Sequence, residues 1–341
     1  MAKKKIGKQT IQFIDPPSII STTSIVGPKE GKGPLSQYFD IILDDDLYGE
    51  DSWEKAESKM VKEAVKLAAM QKKLHLEDID YLFAGDLLNQ LMSSSFAARD
   101  LRIPYFGLFG ACSTMAESLS LAAIMIEGGF ADYVVATTSS HFSSAERQFR
   151  FPLELGNQRP LTSQWTVTGA GAAILAPTEE KGPYITRITT GRVIDYGIKD
   201  ANNMGAAMAP AAVDTIKAYF QDTGESPNDF DLIVTGDLGR IGNEIAIDLL
   251  RKEGMPINKT LKDCGVEIFD HAKQDTHAGG SGCGCSAVVF CGYLYKLLKK
   301  DIFKKILLVS TGALLSPTSI QQGESIPSIA HAVAIEGQLK G

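Results

Sequence analysis

The sequence predicts an α/β fold built from two tandem β/α halves, and three features predict it. Strand-like and helix-like segments alternate along nearly the whole chain, the pattern of layered α/β proteins. The strand candidates are apolar on both faces rather than alternating, as parallel strands covered by helices require. The chain also repeats itself. Asp80-Tyr81-Leu82-Phe83-Ala84-Gly85-Asp86-Leu87 aligns without gaps on Asp231-Leu232-Ile233-Val234-Thr235-Gly236-Asp237-Leu238, each an apolar strand ending in Gly-Asp. Gly110-Ala111-Cys112-Ser113 aligns on Cys283-Gly284-Cys285-Ser286, and the same register carries residues 133–138 onto 306–311. The halves are therefore set at residues 1–180 and 181–341, with a site expected at the carboxyl ends of the strands.

The elements follow in order. Residues 52–73 read as the first helix, with Asp51 or Ser52 as its N-cap. A strand at 81–85, a helix at 94–100 and a strand at 105–108 lead into the turn Phe109-Gly110-Ala111. The helix at 113–127 is closed by Gly128-Gly129, and a strand occupies 133–137. Residues 143–167, rich in Phe, Arg, Pro and Gln, suit a long cap loop. A strand at 172–176 ends at Pro177. The second half holds helices at 209–221, 241–252 and 287–299 and strands at 232–235 and 306–310.

Composition bounds the function. The 34 Lys and Arg against 41 Asp and Glu give a net charge of −7. That disfavours nucleic acid as a partner, since neutralising phosphates takes a basic stripe, and it disfavours bulk attraction to an anionic membrane. The longest apolar stretches are strand-length, well short of the roughly 20 residues of a membrane helix. The five cysteines, an odd number set mostly in apolar runs, read as reduced cytoplasmic thiols. The basic start Met1-Ala2-Lys3-Lys4-Lys5 is followed by no apolar signal core, so a soluble cytoplasmic protein is expected.

Cys112 is the nucleophile candidate. It follows a strand across a short Gly-containing turn and opens an apolar helix, where unpaired N–H groups and the helix dipole favour thiolate. Neighbouring amides could hold an oxyanion on a substrate carbonyl. The small residues Gly110, Ala111 and Ser113 would let a flat ligand approach the sulfur. The competing account is a buried small hydrophobe.

At these residues the chain resembles the thiolase superfamily. The duplication, the Gly-Ala-Cys-Ser turn and the run Thr168-Gly169-Ala170-Gly171-Ala172-Ala173 are similar to condensing enzymes of the ketoacyl-synthase III type. In more detail, three stretches resemble the stage V sporulation protein AD group of spore-forming Firmicutes. They are Gly110-Ala111-Cys112-Ser113-Thr114-Met115-Ala116-Glu117, residues 275–285 and Ser310-Thr311-Gly312-Ala313-Leu314. The resemblance implies a five-layer αβαβα sandwich, a homodimer paired through an edge strand, and a role in dipicolinic acid uptake into the forespore. It also implies membrane-embedded partner proteins, which would place a soluble chain at the forespore membrane.

The sequence departs from the enzymes where their chemistry resides. Condensing enzymes of this type carry a His and an Asn (or a second His) beside the Cys. The corresponding strand end here is Gly236-Asp237-Leu238-Gly239, and the corresponding turn is Ala278-Gly279-Gly280-Ser281-Gly282. Decarboxylative condensation needs hydrogen-bond donors at an enolate-like oxygen, and an Asp in place of His removes one and adds negative charge. A non-enzymatic binding protein with a vestigial nucleophile is therefore expected; the alternative is an active acyltransferase or 3-ketoacyl synthase using Cys112. Of the remaining imidazoles, His141 and His277 could reach the cavity, whereas His75 and His331 read as structural and His271 as solvated. Cys283-Gly284-Cys285 lacks zinc-ligand spacing and suits close packing near Cys112. Gly169-Ala170-Gly171 has neither the Lys nor the helix of a phosphate loop.

Dipicolinate, the ligand implied by the resemblance, is a flat ring with two carboxylates. It needs a narrow slot, donors or cations for each carboxylate and an apolar face for the ring. The Cys112 turn offers helix N-terminal N–H groups. Arg147, Arg150 and Arg159, interleaved with Phe149 and Phe151, could close over a flat anion. Asp86 and Asp237, the matched strand ends, oppose a free dianion unless it carries calcium; no other cofactor is expected. The expected ligand set is Cys112, Ser113, Asp86, His141, Asp237, His277, Gly279, Gly280, Arg147 and Arg150.

Overall fold

A computed structural model describes residues 4–150, 158–178, 182–257 and 260–339. The first half contributes β1 (Ser18–Val26), α1 (Trp53–Gln71), β2 (Tyr81–Gly85), α2 (Met92–Leu101) and β3 (Tyr105–Gly107). It continues with α3 (Thr114–Glu127), β4 (Val134–Ser140), α4 (Phe142–Phe149) and β5 (Gly169–Ala176). The second contributes β6 (Tyr184–Thr189), α5 (Met204–Thr223), β7 (Leu232–Thr235), α6 (Gly239–Lys252), β8 (Leu261–Asp263), α7 (Cys283–Val288), β9 (Lys305–Ala313) and β10 (Ser328–Glu336). The sheet runs in the order β8-β7-β9-β10-β6-β1-β5-β4-β2-β3. Read outward from the middle, each half has the same order and the same mixture of pairings. Strands β2, β3 and β4 are mutually parallel, as are β7, β8 and β9, while β5 and β10 run antiparallel to their neighbours.

The two half-sheets join at a single residue pair, Tyr184 with Ser18. Between them lie α3 and α7, both apolar nearly all round. α3 packs on β4 of one half and on β9 and β10 of the other. α1 and α2 cover the outside of the first half, and α5 and α6 the outside of the second. Helix, sheet, helix, sheet, helix gives five layers. Three apolar clusters fill the spaces: one around α3 and α7, one under α1 and one under α5.

Close backbone approach explains the small residues of the central layer. A Cβ at Gly171 of β5 would lie 2.6 Å from the Ala287 backbone, and one at Gly284 would lie 2.7 Å from the Gly169 carbonyl. Real side chains do not tolerate such contacts, so α7 seats directly on β5. Cys283, Cys285 and the rest of that turn are fully buried, in keeping with a packing role.

Several outcomes differ from the sequence expectations, among them strands β6, β8 and β10, which were not expected. Residues 142–149 form a helix rather than the start of a loop, because His141 caps it through Nδ1, which accepts from the Ser143 amide at 3.1 Å. β1 was not expected from its Ser-Ile-Ile-Ser-Thr-Thr-Ser-Ile-Val sequence, yet all nine residues are buried. Four of its five hydroxyls have internal partners, and that of Ser18 has none; Ser21 donates to the Ala68 carbonyl at 2.9 Å and Thr22 to the Cys291 carbonyl at 2.8 Å. The helix expected at 287–299 begins at Cys283 and runs through a π-helical turn, Val289–Leu294.

Candidate functional site

β3 ends in the turn that carries Cys112. Ala111 takes a left-handed conformation (φ +48°), which lifts the next residue out of the strand line at a cost of about 1–2 kcal/mol. Local hydrogen bonds hold it there: the Ser113 hydroxyl donates to the Gly110 carbonyl at 2.6 Å and the Thr114 hydroxyl to the Ala111 carbonyl at 2.6 Å. The Cys283 thiol, arriving from α7, donates to the same Ala111 carbonyl at 3.0 Å. β9 backs the turn so closely that a Cβ on Gly312 would sit 2.2 Å from the Gly110 carbonyl.

Asp237, at the end of β7, meets the Cys112 thiol from the other half. Its carboxylate is fully buried and accepts from the Thr311 hydroxyl at 2.8 Å, the Gly282 amide at 3.0 Å and the Ser281 hydroxyl at 3.1 Å. Burial raises the Asp237 pKa while these donors pull it down. The Cys112 thiol is pushed well above its ordinary range, first by burial and then by the charges of Asp237 and Cys283. The expected activation by the helix terminus is therefore reversed. The helix dipole contributes a fraction of a charge, and burial together with the full charge of the adjacent carboxylate outweighs it. Cys112 is held as a neutral thiol.

The thiol forms the floor of a cavity of about 230 Å³. Leu87, Phe109, Phe149 and Leu315 supply apolar walls, Asn202 and Met204 also line it, and among the described residues Glu146 and Arg150 are its charged side chains. Arg150 Nη1 donates to Glu146 Oε1 at 3.0 Å. None of the five histidines lines the cavity, and among the described residues its side-chain amide is that of Asn202.

The structure brings together some of the residues expected at the site. Cys112 and Arg150 line the cavity, Asp237 lies against the thiol, and Ser113 is buried in the turn with its hydroxyl bound to Gly110. Asp86 points elsewhere. It accepts from the Leu88 and Ser94 amides, both at 2.8 Å, and lies near buried Glu57, whose own pKa is raised to about 8 by burial and by the Asp86 charge. His141 is buried with Nε2–H donating to the Asp46 carbonyl at 2.7 Å, and burial lowers its pKa. His277 lies 2.8 Å from the Pro160 carbonyl through Nδ1 and 3.0 Å from Asp275 through Nε2. Gly279 and Gly280 pack against Gly265 instead of opening on the cavity. Arg147 pairs with Glu54 over Trp53 on the outer face, and Arg159 pairs with Asp275 at 2.6 Å. Phe151 lies outside the described residues. His271, expected to be solvated, lies with Nε2 2.9 Å from the Val266 carbonyl.

Sequence reasoning missed Glu146. Its signal was the four-residue spacing to Arg150, a helical ion-pair spacing that only registers once residues 142–149 are read as helix. A larger groove of about 530 Å³ lies between α1 and α2, remote from Cys112, and its five Lys and Arg side chains are all ion-paired. Among the described residues no cluster of three or more His, Cys, Asp or Glu side chains could hold a metal ion, and no helix is long and apolar enough to cross a membrane.

This architecture, with a Cys-bearing turn at the meeting of two half-sheets, is the thiolase-like fold of condensing enzymes. The structure of 3-oxoacyl-[acyl-carrier-protein] synthase III from Aquifex aeolicus VF5 matches with a TM-score of 0.56 and 16% identity, covering 94% of this chain and 99% of that one. OleA from Xanthomonas campestris matches with a TM-score of 0.62 and 16% identity, covering 95% and 99%. Likeness at that identity speaks for the fold alone. The sequence model of the Stage V sporulation protein AD family matches residues 7–336. Stage V sporulation protein AD of Bacillus subtilis (strain 168) is 46% identical over 333 residues, 98% of each chain. The chain belongs to the stage V sporulation protein AD family.

Proposed function

We propose that this chain is a non-enzymatic binding protein that holds dipicolinic acid, free or as its calcium chelate, in the cavity above Cys112. It would serve dipicolinate uptake into the forespore, handing the ligand to membrane-embedded partners. The observation that carries the reading is the buried Asp237 beside Cys112: a carboxylate stands where condensing chemistry needs an imidazole, and burial together with its charge pushes the thiol well above its ordinary range. A neutral thiol is a poor nucleophile but a good floor for an apolar ring. Phe109 and Phe149 offer ring faces, and the Arg150 guanidinium offers a fork of donors for a carboxylate. The chain would act as a homodimer across the open edge of β3, where Phe106 and Phe109 are 49% and 50% exposed.

Equilibrium titration of dipicolinate into the wild type and into Cys112→Trp tests the reading. The expected result is saturable one-to-one binding, lost when the indole fills the cavity. Equal binding by a correctly folded Cys112→Trp variant would place the ligand elsewhere.

A further inference from the structure

Glu146 and Arg150 sit one helical turn apart at the C-terminal end of α4, joined by the 3.0 Å bond that faces the cavity. Glu146 is 8% exposed, so its carboxylate has little water to turn to. We propose that Glu146 is an internal counter-ion that a ligand carboxylate displaces from Arg150, so that anion binding in this cavity is coupled to the uptake of one proton by Glu146. This rests on the reading of the cavity as a site for an aromatic dicarboxylate, and it adds the means by which that site is regulated.

The charge balance drives the coupling. A dicarboxylate brings two negative charges to a cavity lined, among the described residues, by one cation, and that cation is already ion-paired. Arg159 acts on Glu146 through space, but its guanidinium is bound to Asp275. From the opposite wall the Cys112 thiol is neutral, and Asp237 behind it adds no positive charge. Residues 151–157, which continue the chain from Arg150, include Glu154 and no Lys or Arg. Burial already pushes the Glu146 pKa up, against the pull of Arg150 and Arg159. Transferring Arg150 to the ligand removes the larger of those pulls and sets a like charge beside Glu146, and both changes favour its protonated form. The proton comes from solvent, the Glu146–Arg150 bond breaks, and the ligand carboxylate takes the freed N–H groups. Because a proton is taken up on binding, affinity falls as pH rises.

The test is calorimetric titration of dipicolinate, with a calcium chelator present, into the full-length wild type, Glu146→Gln and Arg150→Gln. Buffers of differing ionisation enthalpy are used, and near-UV circular dichroism checks each variant. For the wild type the observed enthalpy should vary with the buffer by an amount equivalent to one proton taken up. In Glu146→Gln that dependence should vanish and affinity near neutral pH should rise at least about tenfold, because binding no longer has to wait on the uptake of a proton. Arg150→Gln should weaken binding at least tenfold. A wild-type enthalpy independent of buffer, or a dependence that survives in Glu146→Gln, overturns the counter-ion role and leaves the binding site standing. Should Glu146→Gln fail to fold, the wild type alone decides, because affinity that stays flat from pH 6 to pH 9 also overturns it. No dipicolinate binding by the folded wild type, either with the chelator or with calcium added in its place, overturns both readings.

Discussion

Asp237→Asn isolates the carboxylate that faces Cys112. The substitution keeps size and shape but removes the charge that stands second only to burial among the causes holding the thiol neutral. Removing a neighbouring like charge lowers the pKa of the thiol, so the thiolate fraction at pH 8 should rise at least about tenfold. Burial remains, which keeps the thiol above its ordinary range even in the variant. Asn retains one acceptor oxygen for the Gly282 amide and the Ser281 hydroxyl, and its amide N–H can donate to Thr311, whose hydroxyl rotates to accept. The stability cost should therefore stay near 0.5–1.5 kcal/mol, that of one altered hydrogen bond. The assay is iodoacetamide alkylation followed by intact mass and peptide mapping between pH 6.5 and 9.5. Cys264, Cys283, Cys285 and Cys291 are fully buried away from the cavity lining, so label should map to Cys112. An unchanged alkylation rate in a natively folded Asp237→Asn variant would refute the claim that Asp237 silences the thiol.

Other outcomes follow from the same physics. Glu57, raised to about 8 by burial and the Asp86 charge, binds a proton in the folded chain that the unfolded chain releases above the ordinary carboxylate value. Its contribution to stability is thus complete at acid pH and declines as pH rises toward 8, by at most about 1.4 kcal/mol per unit. Denaturant unfolding of Glu57→Gln should show a gain over wild type that grows from pH 5 to pH 8; a constant difference would contradict the buried pair. Incubation of the wild type with acyl-CoA should leave the intact mass unchanged, and an acyl adduct on Cys112 would favour the acyltransferase alternative. Gly171→Ala should destabilise by about 1–3 kcal/mol, because its Cβ collides with the Ala287 backbone. A thermal midpoint equal to wild type would show that α7 can shift away from β5.

The parallel core of the fold was legible in the sequence because its strands are apolar on both faces and recur in register. Leu232–Thr235 and Tyr81–Gly85 announce themselves by composition alone. The antiparallel strands were harder. β1 is about half Ser and Thr, and tertiary partners such as the Ala68 and Cys291 carbonyls, Asp40 and Gln71 make most of those hydroxyls compatible with burial. The Cys112 turn was read correctly as a turn, but its electrostatics were not. A dipole at a helix terminus can be read from sequence, whereas the arrival of Asp237 from a residue 125 positions later depends on how the halves meet. The same holds for Asp86. It matches Asp237 in the repeat, yet it caps the Leu88 and Ser94 amides while Asp237 faces a thiol, so equal positions in a duplication acquired unequal surroundings. Arg147, Arg150 and Arg159 looked alike in sequence and diverge in space: the helix turns Arg147 and Arg150 to different faces, and Arg159 lies beyond its end.

The most direct measurement is a crystal structure of the chain grown with dipicolinate. The ligand should lie over the Cys112 sulfur without a covalent bond, its ring between Phe109 and Phe149 and one carboxylate on Arg150. Density at any other place, or continuous from the sulfur into the ligand, would contradict the account.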